Sequence, residues 1–347
     1  MDKERRINMK KIKVGINGFG RIGRNAARII LNRKDMELVA INSRAQTSSH
    51  AYLLKYDSSY GIFSKKVKHG LDFLSVDGHK IKVFNDDNCA TIPWDQAKVD
   101  IVIDSTGKFR TSEELIGHLR ADVKYVVLSA PAKDSLKTLV LGVNVKDFNP
   151  EKDKIISNSS CTTNCLSTTL KVLHQNFTVK SGFMTTIHAV TDSQNLLDNS
   201  HKKEIRLRRA SFASMIPSST GSAKDIGKLF PELSGKIICQ AIRIPLLTVS
   251  LINLTVAVQR KVTKEVVNMA FLQASETYLK GILDVSPEEL VSKDYTGNPY
   301  SSVVDPFLTA IAGDNLVNIY ALYDNEWGYT TRLVDMVEYI GKRVSLL

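Results

Sequence analysis

The feature that most constrains the fold is a glycine-rich turn between a short strand and a helix. Residues 11–16 alternate basic and apolar side chains, Gly18, Gly20 and Gly23 follow, and apolar residues then recur at helical spacing. A second strand, 37–41, follows at about the 20-residue interval that a dinucleotide-binding β-α-β unit requires. In such a unit Gly18 permits the tight turn, Gly20 lets the backbone approach a pyrophosphate, and Gly23 lets helix and strand pack closely. This order predicts a nucleotide-binding domain.

The end of the second strand departs from the usual pattern. An acidic residue normally closes that strand and bonds the ribose hydroxyls, whereas this chain has Asn42, Ser43 and Arg44. Ser43 can donate a hydrogen bond to a 2′-phosphate and Arg44 can pair with it. The cofactor is therefore predicted to be NAD or NADP, with NADP favoured. The alternative, that Arg44 is solvated and Ser43 only tolerates NAD, stays open.

The length of 347 residues suggests two domains. Residues 1–160 are typical of a doubly wound, Rossmann-type α/β domain, and residues 161–325 are typical of an α+β catalytic domain with a mixed or antiparallel sheet. A closing helix within 326–347 is expected to pack back on the first domain. The segments that carry this prediction are strands at 99–103, 125–128, 182–187 and 249–258, and helices at 112–119, 162–173, 266–279 and 331–344.

The net charge of the chain narrows the classes of binding partner but does not distinguish among them. Lys plus Arg number 47 against 36 Asp plus Glu, a net charge of +11, which suits nucleic acid, an acidic surface or anionic small molecules. The densest basic cluster, 201–209, lies in mid-sequence, which favours a charged surface over a nucleic-acid arm; a secondary polyanion-binding role is kept as an alternative. The four cysteines lack the paired spacing of a zinc site, so no metal is predicted.

No apolar run is long enough for a membrane span. Residues 1–11 carry the charge of a signal peptide's first segment, but no apolar segment of the required length follows. The protein is therefore expected in the cytoplasm.

A cysteine at a predicted helix start is the strongest candidate for chemistry. Small polar residues precede Cys161, which places it in the first turn, where the helix dipole lowers a thiol pKa. The alternative is a small buried apolar residue, as expected for Cys165. His188 favours catalysis, because it directly follows a predicted strand and precedes a polar loop. The other histidines, 50, 69, 79, 118, 174 and 201, are expected to be solvated.

Taken together, eight segments resemble phosphorylating glyceraldehyde-3-phosphate dehydrogenase of type I. The cysteine motif is also shared by its relative erythrose-4-phosphate dehydrogenase. The matching segments run in order from residue 11 to about residue 342, and they are INGFGRIGR, LLKYDSSYG, STGKF, SAPAKD, SNSSCTTNC, TTIHAVT, PSSTGSAK and YDNEWGY.

The resemblance implies a role for each matching residue. Cys161 is the nucleophile that forms a thiohemiacetal with the aldehyde, and His188 is the base; hydride passes to the nicotinamide, and inorganic phosphate attacks the resulting thioester. The other implied residues are Thr191 and Arg243 for the substrate phosphate; Ser160, Thr162, Thr220 and Gly221 for the attacking phosphate; Arg21 and Ile22 at the pyrophosphate turn; Thr106 and Ser129 in the cofactor cleft; and Asn325, with Tyr329 nearby, for the nicotinamide amide.

Three positions depart from the family pattern. Ser43 stands where the family usually has Asp. Ser200 stands where NAD-specific members usually carry proline and NADP-using photosynthetic members carry serine, which strengthens the NADP prediction. Leu207 stands where many bacterial members have a phosphate-binding arginine, so that role passes to Arg206 or Arg209, with a structural or intersubunit role as the alternative.

The resemblance implies reversible conversion of glyceraldehyde 3-phosphate, phosphate and NAD(P)⁺ to 1,3-bisphosphoglycerate, as in glycolysis and gluconeogenesis. It also implies a homotetramer, with the loop 190–219 at a subunit interface.

Overall fold

The computed structural model describes residues 11–120, 122–202 and 204–346. The charged segment 1–10, considered above as the start of a leader, lies outside these described residues. The described chain forms two compact units. The first comprises 11–120, 122–137, 148–157 and 333–346, and the second comprises 138–147, 158–202 and 204–332.

The described residues form strands, α-helices and short 3₁₀ helices in alternation. The strands are β1 Ile12–Asn17, β2 Met36–Asn42, β3 Tyr56–Asp57, β4 Gly61–Ile62, β5 Val67–His69, β6 Phe73–Val76, β7 His79–Phe84, β8 Ile101–Asp104, β9 Tyr125–Leu128, β10 Lys137–Thr138, β11 Ile155–Ser157, β12 Val179–His188, β13 Ile216–Ser218, β14 Ile237–Arg243, β15 Ser250–Val258, β16 Leu283–Val285, β17 Ser302–Ala312 and β18 Leu316–Tyr323. The α-helices are α1 Arg21–Ile30, α2 Thr47–Lys55, α3 Ser112–Leu115, α4 Cys161–Phe177, α5 Ser222–Leu229, α6 Lys264–Glu276 and α7 Trp327–Arg343. The 3₁₀ helices are Trp94–Ala97, Ile116–His118, Val145–Asp147, Arg206–Arg208, Pro231–Leu233 and Ser292–Tyr295.

The first unit is built on a sheet with the order β10-β11-β9-β8-β1-β2-β7-β6-β5. Strands β11, β9, β8, β1, β2 and β7 pair in parallel, which confirms the predicted Rossmann-type α/β class. The far edge differs from the prediction, since β5, β6 and β7 are joined by antiparallel pairing. Between β6 and β7 the chain reverses at Asp77-Gly78, where both residues have positive φ, as in the two-residue turns that connect antiparallel strands.

A buried polar network ties together the carboxyl ends of three parallel strands. Asn17, the last residue of β1, lies in register with Asn42 of β2 and Asp104 of β8. Its amide donates to Asp104 Oδ2 at 2.8 Å and accepts from the Asn42 amide at 2.8 Å. Trp94 Nε1 donates to His118 Nδ1 at 3.1 Å, so neutral His118 carries its proton on Nε2, which donates to Asp104 Oδ2 at 3.2 Å. The network rigidly positions the edge where the glycine turn begins.

The prediction that the remaining histidines are solvated is wrong for two of them. His118 belongs to the network just described and is fully buried, and His50 packs edge-on against Phe19 with ring centroids 5.3 Å apart. Local polarity misled the prediction, because His118 satisfies both ring nitrogens inside the core and His50 is buried through its packing against Phe19.

The second unit is built on a mixed sheet with the order β13-β14-β12-β15-β18-β17-β16. The strand predicted at 249–258 is β15, in which Ile252, Leu254, Val256 and Val258 are buried and the residues between them are half-buried. Helices α4 and α6 contribute to the same hydrophobic core. Helix α4 continues a turn past its predicted end because Phe177 is also buried there. The predicted class of a mixed-sheet catalytic domain is confirmed.

Within the described part of the chain, no helix has both the length and the apolar character needed to cross a membrane.

Candidate active site

The candidate nucleophile is the first residue of helix α4. Ser160 caps this helix, and its Oγ accepts a hydrogen bond from Thr163 N at 3.0 Å. The predicted placement of Cys161 in the first turn is therefore confirmed. Cys165, one turn later, is fully buried, as expected. The chain enters the helix through Ser159, which has a φ of 56°, a left-handed conformation that non-glycine residues adopt rarely.

Strand β12 ends at His188 and brings its ring to Cys161. The Sγ atom lies 3.5 Å from His188 Nε2, close enough for a thiol–imidazole hydrogen bond. Nδ1 of the same ring lies 2.7 Å from the carbonyl oxygen of Ala189. The two residues that sequence reasoning placed at a helix start and a strand end thus form one pair, in the arrangement typical of cysteine nucleophiles and their bases.

Arg243 completes this cluster from the neighbouring strand. Strands β12 and β14 run parallel, and His188 is the register partner of Arg243. Arg243 Nη1 lies 2.7 Å from His188 Nδ1. Burial, and after it the positive charge of Arg243, lower the pKa of His188 to about 3. The imidazole is therefore neutral at physiological pH and able to act as a base.

The thiol pKa departs from the sequence-based prediction. The helix start was expected to lower it, but burial raises the pKa of the Cys161 thiol, with Arg243 acting in the opposite direction. Because burial disfavours the thiolate, Cys161 depends on a neighbouring base to remove its proton. His188 Nε2 is the ring nitrogen in contact with Sγ, so the geometry assigns that task to it.

Tyr323 is a buried residue of the site that sequence reasoning did not single out. Its hydroxyl lies 2.9 Å from both Thr162 Oγ1 and Thr186 Oγ1. Its ring packs against His188 with centroids 6.2 Å apart. Tyr323 opens the YDNEWGY segment, so the motif pointed to it, but only the fold brings it against β12 and α4.

A chain of hydroxyls connects the starts of two helices. Ser160 Oγ lies 2.8 Å from Thr163 Oγ1, which lies 3.4 Å from Ser222 Oγ, which lies 3.0 Å from Thr220 Oγ1. Gly221 is the N-cap residue of α5. Hydroxyl donors and the free backbone N–H groups of helix starts are suited to a phosphate. The structure therefore brings together the predicted residues Ser160, Thr220 and Gly221.

A buried carboxylate lies behind this chain of hydroxyls and was also missed. Ser159 Oγ donates a hydrogen bond to Asp225 Oδ2, and both residues are buried. Tyr329, singled out as a neighbour of Asn325, instead donates from its hydroxyl to Ser159 O at 2.9 Å. No local signal could have identified Asp225 as a residue of the site, since an acidic residue in a helix such as α5 is usually an ordinary solvent-facing residue.

Two predicted residues, Thr191 and Ser200, are hydrogen-bonded to neighbouring residues of the loop 190–219. Thr191 N donates to Gln194 Oε1 at 3.2 Å and its Oγ1 lies 3.0 Å from Ser193 Oγ. Ser200 is exposed, with its N–H bonded to Asn199 Oδ1 at 2.7 Å.

Arg206 is exposed and lines a surface cavity of about 630 Å³ together with Glu204, Ser218 and Ser219. Arg209, the other arginine considered for the attacking phosphate, pairs with Asp198 at 3.1 Å. The structure thus gives neither arginine a contact with Cys161 or with the chain of hydroxyls among the described residues.

Asn325 lies in the second unit and is nearly fully buried. Its Oδ1 accepts a hydrogen bond from Ser250 Oγ at 2.9 Å. Ser250 thus fixes the amide oxygen, and the side-chain amide nitrogen of Asn325 remains available to donate.

In the first unit the glycine turn has the tight geometry that its sequence predicts. Gly18 has a φ of 91°, and a Cβ there would lie 2.7 Å from Thr106 N. A Cβ on Gly23 would lie 2.1 Å from Gly18 O, whereas one on Gly20 would meet no atom within 4 Å. Gly20 therefore faces open space at the start of α1, which is where a pyrophosphate would approach the backbone of Arg21 and Ile22.

The Arg21 side chain is held beside the turn by Asp57, with Nη2 and Oδ1 3.3 Å apart. Thr106 and Ser129 follow the ends of β8 and β9. Thr106 Oγ1 donates to Asp104 Oδ1 at 2.8 Å and Ser129 N donates to Asp104 O at 2.9 Å. These contacts fix both residues at the carboxyl edge of the sheet, where ligands of doubly wound folds bind.

Ser43 and Arg44 directly follow β2 on the same edge. Ser43 N donates to Phe84 O at 3.0 Å, which fixes its backbone. The Arg44 side chain is 80% exposed, and its Nε lies 3.6 Å from Asp87 Oδ1. At such exposure the ion pair is weak, so the guanidinium can reorient toward an anion.

Comparison with known proteins shows which family the chain is similar to. Residues 160–325 match the glyceraldehyde 3-phosphate dehydrogenase C-terminal domain and residues 12–112 match the glyceraldehyde 3-phosphate dehydrogenase NAD binding domain. The chain is 44% identical over 335 residues to glyceraldehyde-3-phosphate dehydrogenase 2 of Bacillus subtilis (strain 168), covering 96% of this chain and 98% of the relative. It is 43% identical over 332 residues to the enzyme of Geobacillus stearothermophilus, with 96% and 99% covered. It is 44% identical over 336 residues to glyceraldehyde-3-phosphate dehydrogenase A, chloroplastic, of Nicotiana tabacum, with 96% and 85% covered.

Proposed function

Because the chain belongs to the glyceraldehyde-3-phosphate dehydrogenase family, we propose that it oxidises glyceraldehyde 3-phosphate with inorganic phosphate to 1,3-bisphosphoglycerate, reversibly and through a covalent intermediate on Cys161. The observation that carries this proposal is the 3.5 Å contact between Cys161 Sγ and His188 Nε2 at the start of helix α4. A half-buried thiol beside a neutral imidazole is suited to nucleophilic attack on a carbonyl.

In the first step His188 Nε2 takes the thiol proton and the sulfur attacks the aldehyde carbon. The proton then passes to the new alkoxide, which gives a thiohemiacetal on Cys161. His188 takes the hydroxyl proton back as the carbon loses hydride, so that a thioester remains. The nicotinamide, when bound, supplies the hydride acceptor. The low pKa of His188 keeps the ring neutral before the substrate binds, so that one ring nitrogen carries a lone pair that can accept a proton.

Inorganic phosphate then attacks the thioester and Cys161 leaves. We assign the attacking phosphate to the hydroxyls of Ser160, Thr162 and Thr220 and to Gly221 at the start of α5, with Arg206 as a further cation. We assign the substrate's own phosphate to Thr191 and Arg243. The support is the donor set, since hydroxyls, helix-start N–H groups and a guanidinium are the partners that phosphate requires.

The cofactor is a nicotinamide dinucleotide, as the match to an NAD binding domain indicates. The residues fit it, because Gly18 and Gly23 allow the close turn and Gly20 leaves the start of α1 uncovered. We propose that Arg21, Ile22, Thr106 and Ser129 contribute to its binding and that Asn325 holds the nicotinamide amide.

We further propose that the enzyme accepts NADP⁺. Residue 43 is a serine, so no carboxylate stands there to repel a 2′-phosphate. Arg44 is free to reorient away from its exposed pair with Asp87. Ser200 presents a small hydroxyl. Each of the three features removes an obstacle to a 2′-phosphate or offers it a donor.

We propose that the protein acts as a homotetramer in which the loop 190–219 lies at a subunit interface. The support is an apolar surface that the single chain leaves uncovered, with Leu197, Ile205 and Met215 each at least 74% exposed. Exposed apolar side chains grouped in one segment are typical of subunit contacts.

The nearest rival function is that of erythrose-4-phosphate dehydrogenase, which ends in hydrolysis instead of phosphorolysis. Initial rates on the three-carbon and four-carbon aldehyde phosphates, each with and without inorganic phosphate, separate the two. We expect turnover of glyceraldehyde 3-phosphate that requires phosphate. A phosphate-independent rate on erythrose 4-phosphate would overturn the proposal.

A further inference from the structure

The side chain of Glu204 joins two consecutive serines that lie 14 and 15 residues further along the chain. Ser218 Oγ donates to Glu204 Oε2 at 3.0 Å, and Ser219 Oγ donates to Glu204 Oε1 at 3.0 Å. Burial alone would raise the pKa of this carboxyl group, but the two hydroxyl hydrogen bonds hold it below its usual range. Glu204 is therefore an ionised carboxylate at neutral pH, with one oxygen bonded to each serine.

The two serines directly precede two residues of the proposed attacking-phosphate site, Thr220 and Gly221. Strand β13 ends at Ser218, and Gly221 is the N-cap residue of helix α5. Thr220 Oγ1 accepts a hydrogen bond from Ser222 N at 3.3 Å, which joins it to the start of that helix. Only the residues 219–221 connect the strand to the helix, so a shift at the strand end would move the phosphate donors.

The backbone holds this strand end weakly. Strand β13 is three residues long, and among the described strands it lies at the edge of its sheet and pairs with β14 alone. Its central residue is Pro217, which has no N–H to donate to a neighbouring strand. The serine hydroxyls bonded to Glu204 thus supply contacts that the short strand lacks.

The charge of Glu204 makes a positioning role distinguishable from a purely electrostatic one. Glu204, Arg206, Ser218 and Ser219 line the same surface cavity. A carboxylate repels a nearby phosphate and offsets the attraction of a nearby guanidinium. By charge alone, removing the carboxylate would therefore tighten phosphate binding, whereas the loss of a positioning contact would weaken it.

We propose that Glu204 is a positioning residue for the attacking phosphate, acting through Ser218 and Ser219. By holding both side chains the carboxylate fixes the turn into α5, and so keeps Thr220 in the chain of hydroxyls that runs to Ser160. The inference rests on the proposed function, in which inorganic phosphate attacks the thioester at this site. Formation of the thioester needs no phosphate, so only the second half of the reaction should depend on Glu204.

The test is Glu204→Gln, which keeps the size of the side chain but has one acceptor oxygen instead of two. With saturating glyceraldehyde 3-phosphate and oxidised cofactor, the KM for inorganic phosphate should rise about fivefold, because one serine hydroxyl loses its acceptor. The KM for the aldehyde and the burst of reduced cofactor in phosphate-free buffer should stay at wild-type values. Glu232→Gln removes a carboxylate that is bonded to His174 in the same unit, and this matched control should leave the KM for phosphate unchanged.

A cycle with the two serines tests whether Glu204 acts through them. Ser218→Ala combined with Ser219→Ala should raise the KM for phosphate as Glu204→Gln does, and adding Glu204→Gln to that pair should bring no further rise. A serine pair with a wild-type KM for phosphate would contradict the inference. If Glu204→Gln does not fold, the serine pair alone decides, since it removes the same contacts.

A KM for phosphate that is unchanged or lowered in Glu204→Gln would overturn the inference. So would an equal rise in the KM for the aldehyde, since the effect would then not be specific to the attacking phosphate.

Phosphate binding without turnover separates this inference from the proposed function. The dissociation constant of inorganic phosphate, followed by ³¹P NMR, should rise in Glu204→Gln and in the serine pair. A protein that shows this rise but no turnover fails only the proposed function, and an active protein without the rise fails only this inference. A wild-type protein that neither binds phosphate nor turns over fails both.

Discussion

Ser159 donates a hydrogen bond from its buried hydroxyl to Asp225 and thereby links the residue two positions before Cys161 to helix α5. Ser159 also has the left-handed φ of 56° from which helix α4 starts. The direction in which Cys161 points therefore depends on a turn that is unfavourable for serine and is held by a partner 66 residues away. Tertiary contacts can maintain such strain next to a reactive residue.

The strain and the hydrogen bond at this turn can be separated with two variants. Ser159→Ala removes the hydroxyl and leaves a left-handed alanine, whereas Ser159→Gly removes the hydroxyl but tolerates the backbone. We expect both to destabilise the protein, and we expect the alanine variant to be less stable by about 1 kcal/mol. Urea denaturation measures the difference. Equal stability of the two variants would show that the turn is not strained.

Asp225→Ala should have a stronger effect on turnover than on substrate affinity. Removing the carboxylate leaves the buried Ser159 hydroxyl without this acceptor, at a cost of about 1–3 kcal/mol. It also loosens the start of α4, so we expect kcat to fall while KM changes little. Asp225→Asn keeps an acceptor oxygen and is the matched control. The idea of a positioning contact fails if both variants retain wild-type kcat.

The buried histidine should make stability depend on pH. The pKa of His188 is about 3 in the folded protein and about 6.5 when unfolded, so between these values the unfolded chain binds a proton that the folded chain does not. Folding stability should therefore fall as the pH is lowered from 6.5 toward 3, by up to about 1.4 kcal/mol per pH unit from this group. Across this range the unfolding free energy of wild type should fall relative to that of His188→Asn as the pH is lowered. A constant difference would contradict the assignment.

Tyr323→Phe tests the hydroxyl that joins β12, β18 and α4. The variant leaves Thr162 and Thr186 without their contacts to the tyrosine oxygen, and we expect a loss of about 1–3 kcal/mol in unfolding free energy. The His188 ring should keep its packing, because the aromatic face is unchanged. Crystallography of the variant should show the Cys161–His188 contact retained; a displaced His188 ring would mean that the hydroxyl, not the ring face, sets its position.

Ser43→Asp tests the proposed use of NADP⁺. A carboxylate at the end of β2 would repel a 2′-phosphate and can accept from ribose hydroxyls, so kcat/KM for NADP⁺ should fall by at least about tenfold, or about 1.4 kcal/mol. The value for NAD⁺ in the same variant is the control and should hold or rise. An equal effect on both cofactors would remove Ser43 from the 2′-phosphate site.

The sequence predicted the parts of the site that depend on local pattern. The glycine turn, the helix start at Cys161 and the strand end at His188 each have a short-range signature, and a resemblance to one family joined them. Arg243 entered only through that resemblance, and its place beside His188 follows from the register of β12 with β14.

Other contacts could not be predicted because their partners are far apart in the chain. Asp225, Tyr323 and the buried pair of His118 with Asp104 all look like ordinary positions until the fold brings their partners to them. The antiparallel edge β5–β7 is a different case. Its turn at Asp77-Gly78 has a known local signal, and the parallel pattern of the neighbouring strands masked it.

The central claim, a covalent acyl intermediate on Cys161 that phosphate resolves, is tested most directly without phosphate. Enzyme mixed with glyceraldehyde 3-phosphate and oxidised cofactor in phosphate-free buffer should give a burst of reduced cofactor of about one equivalent per chain. Intact mass should show an acyl adduct that maps to Cys161, and inorganic phosphate should remove it and restore steady turnover. No burst, an adduct that forms equally in Cys161→Ser, or steady turnover without phosphate would contradict the account.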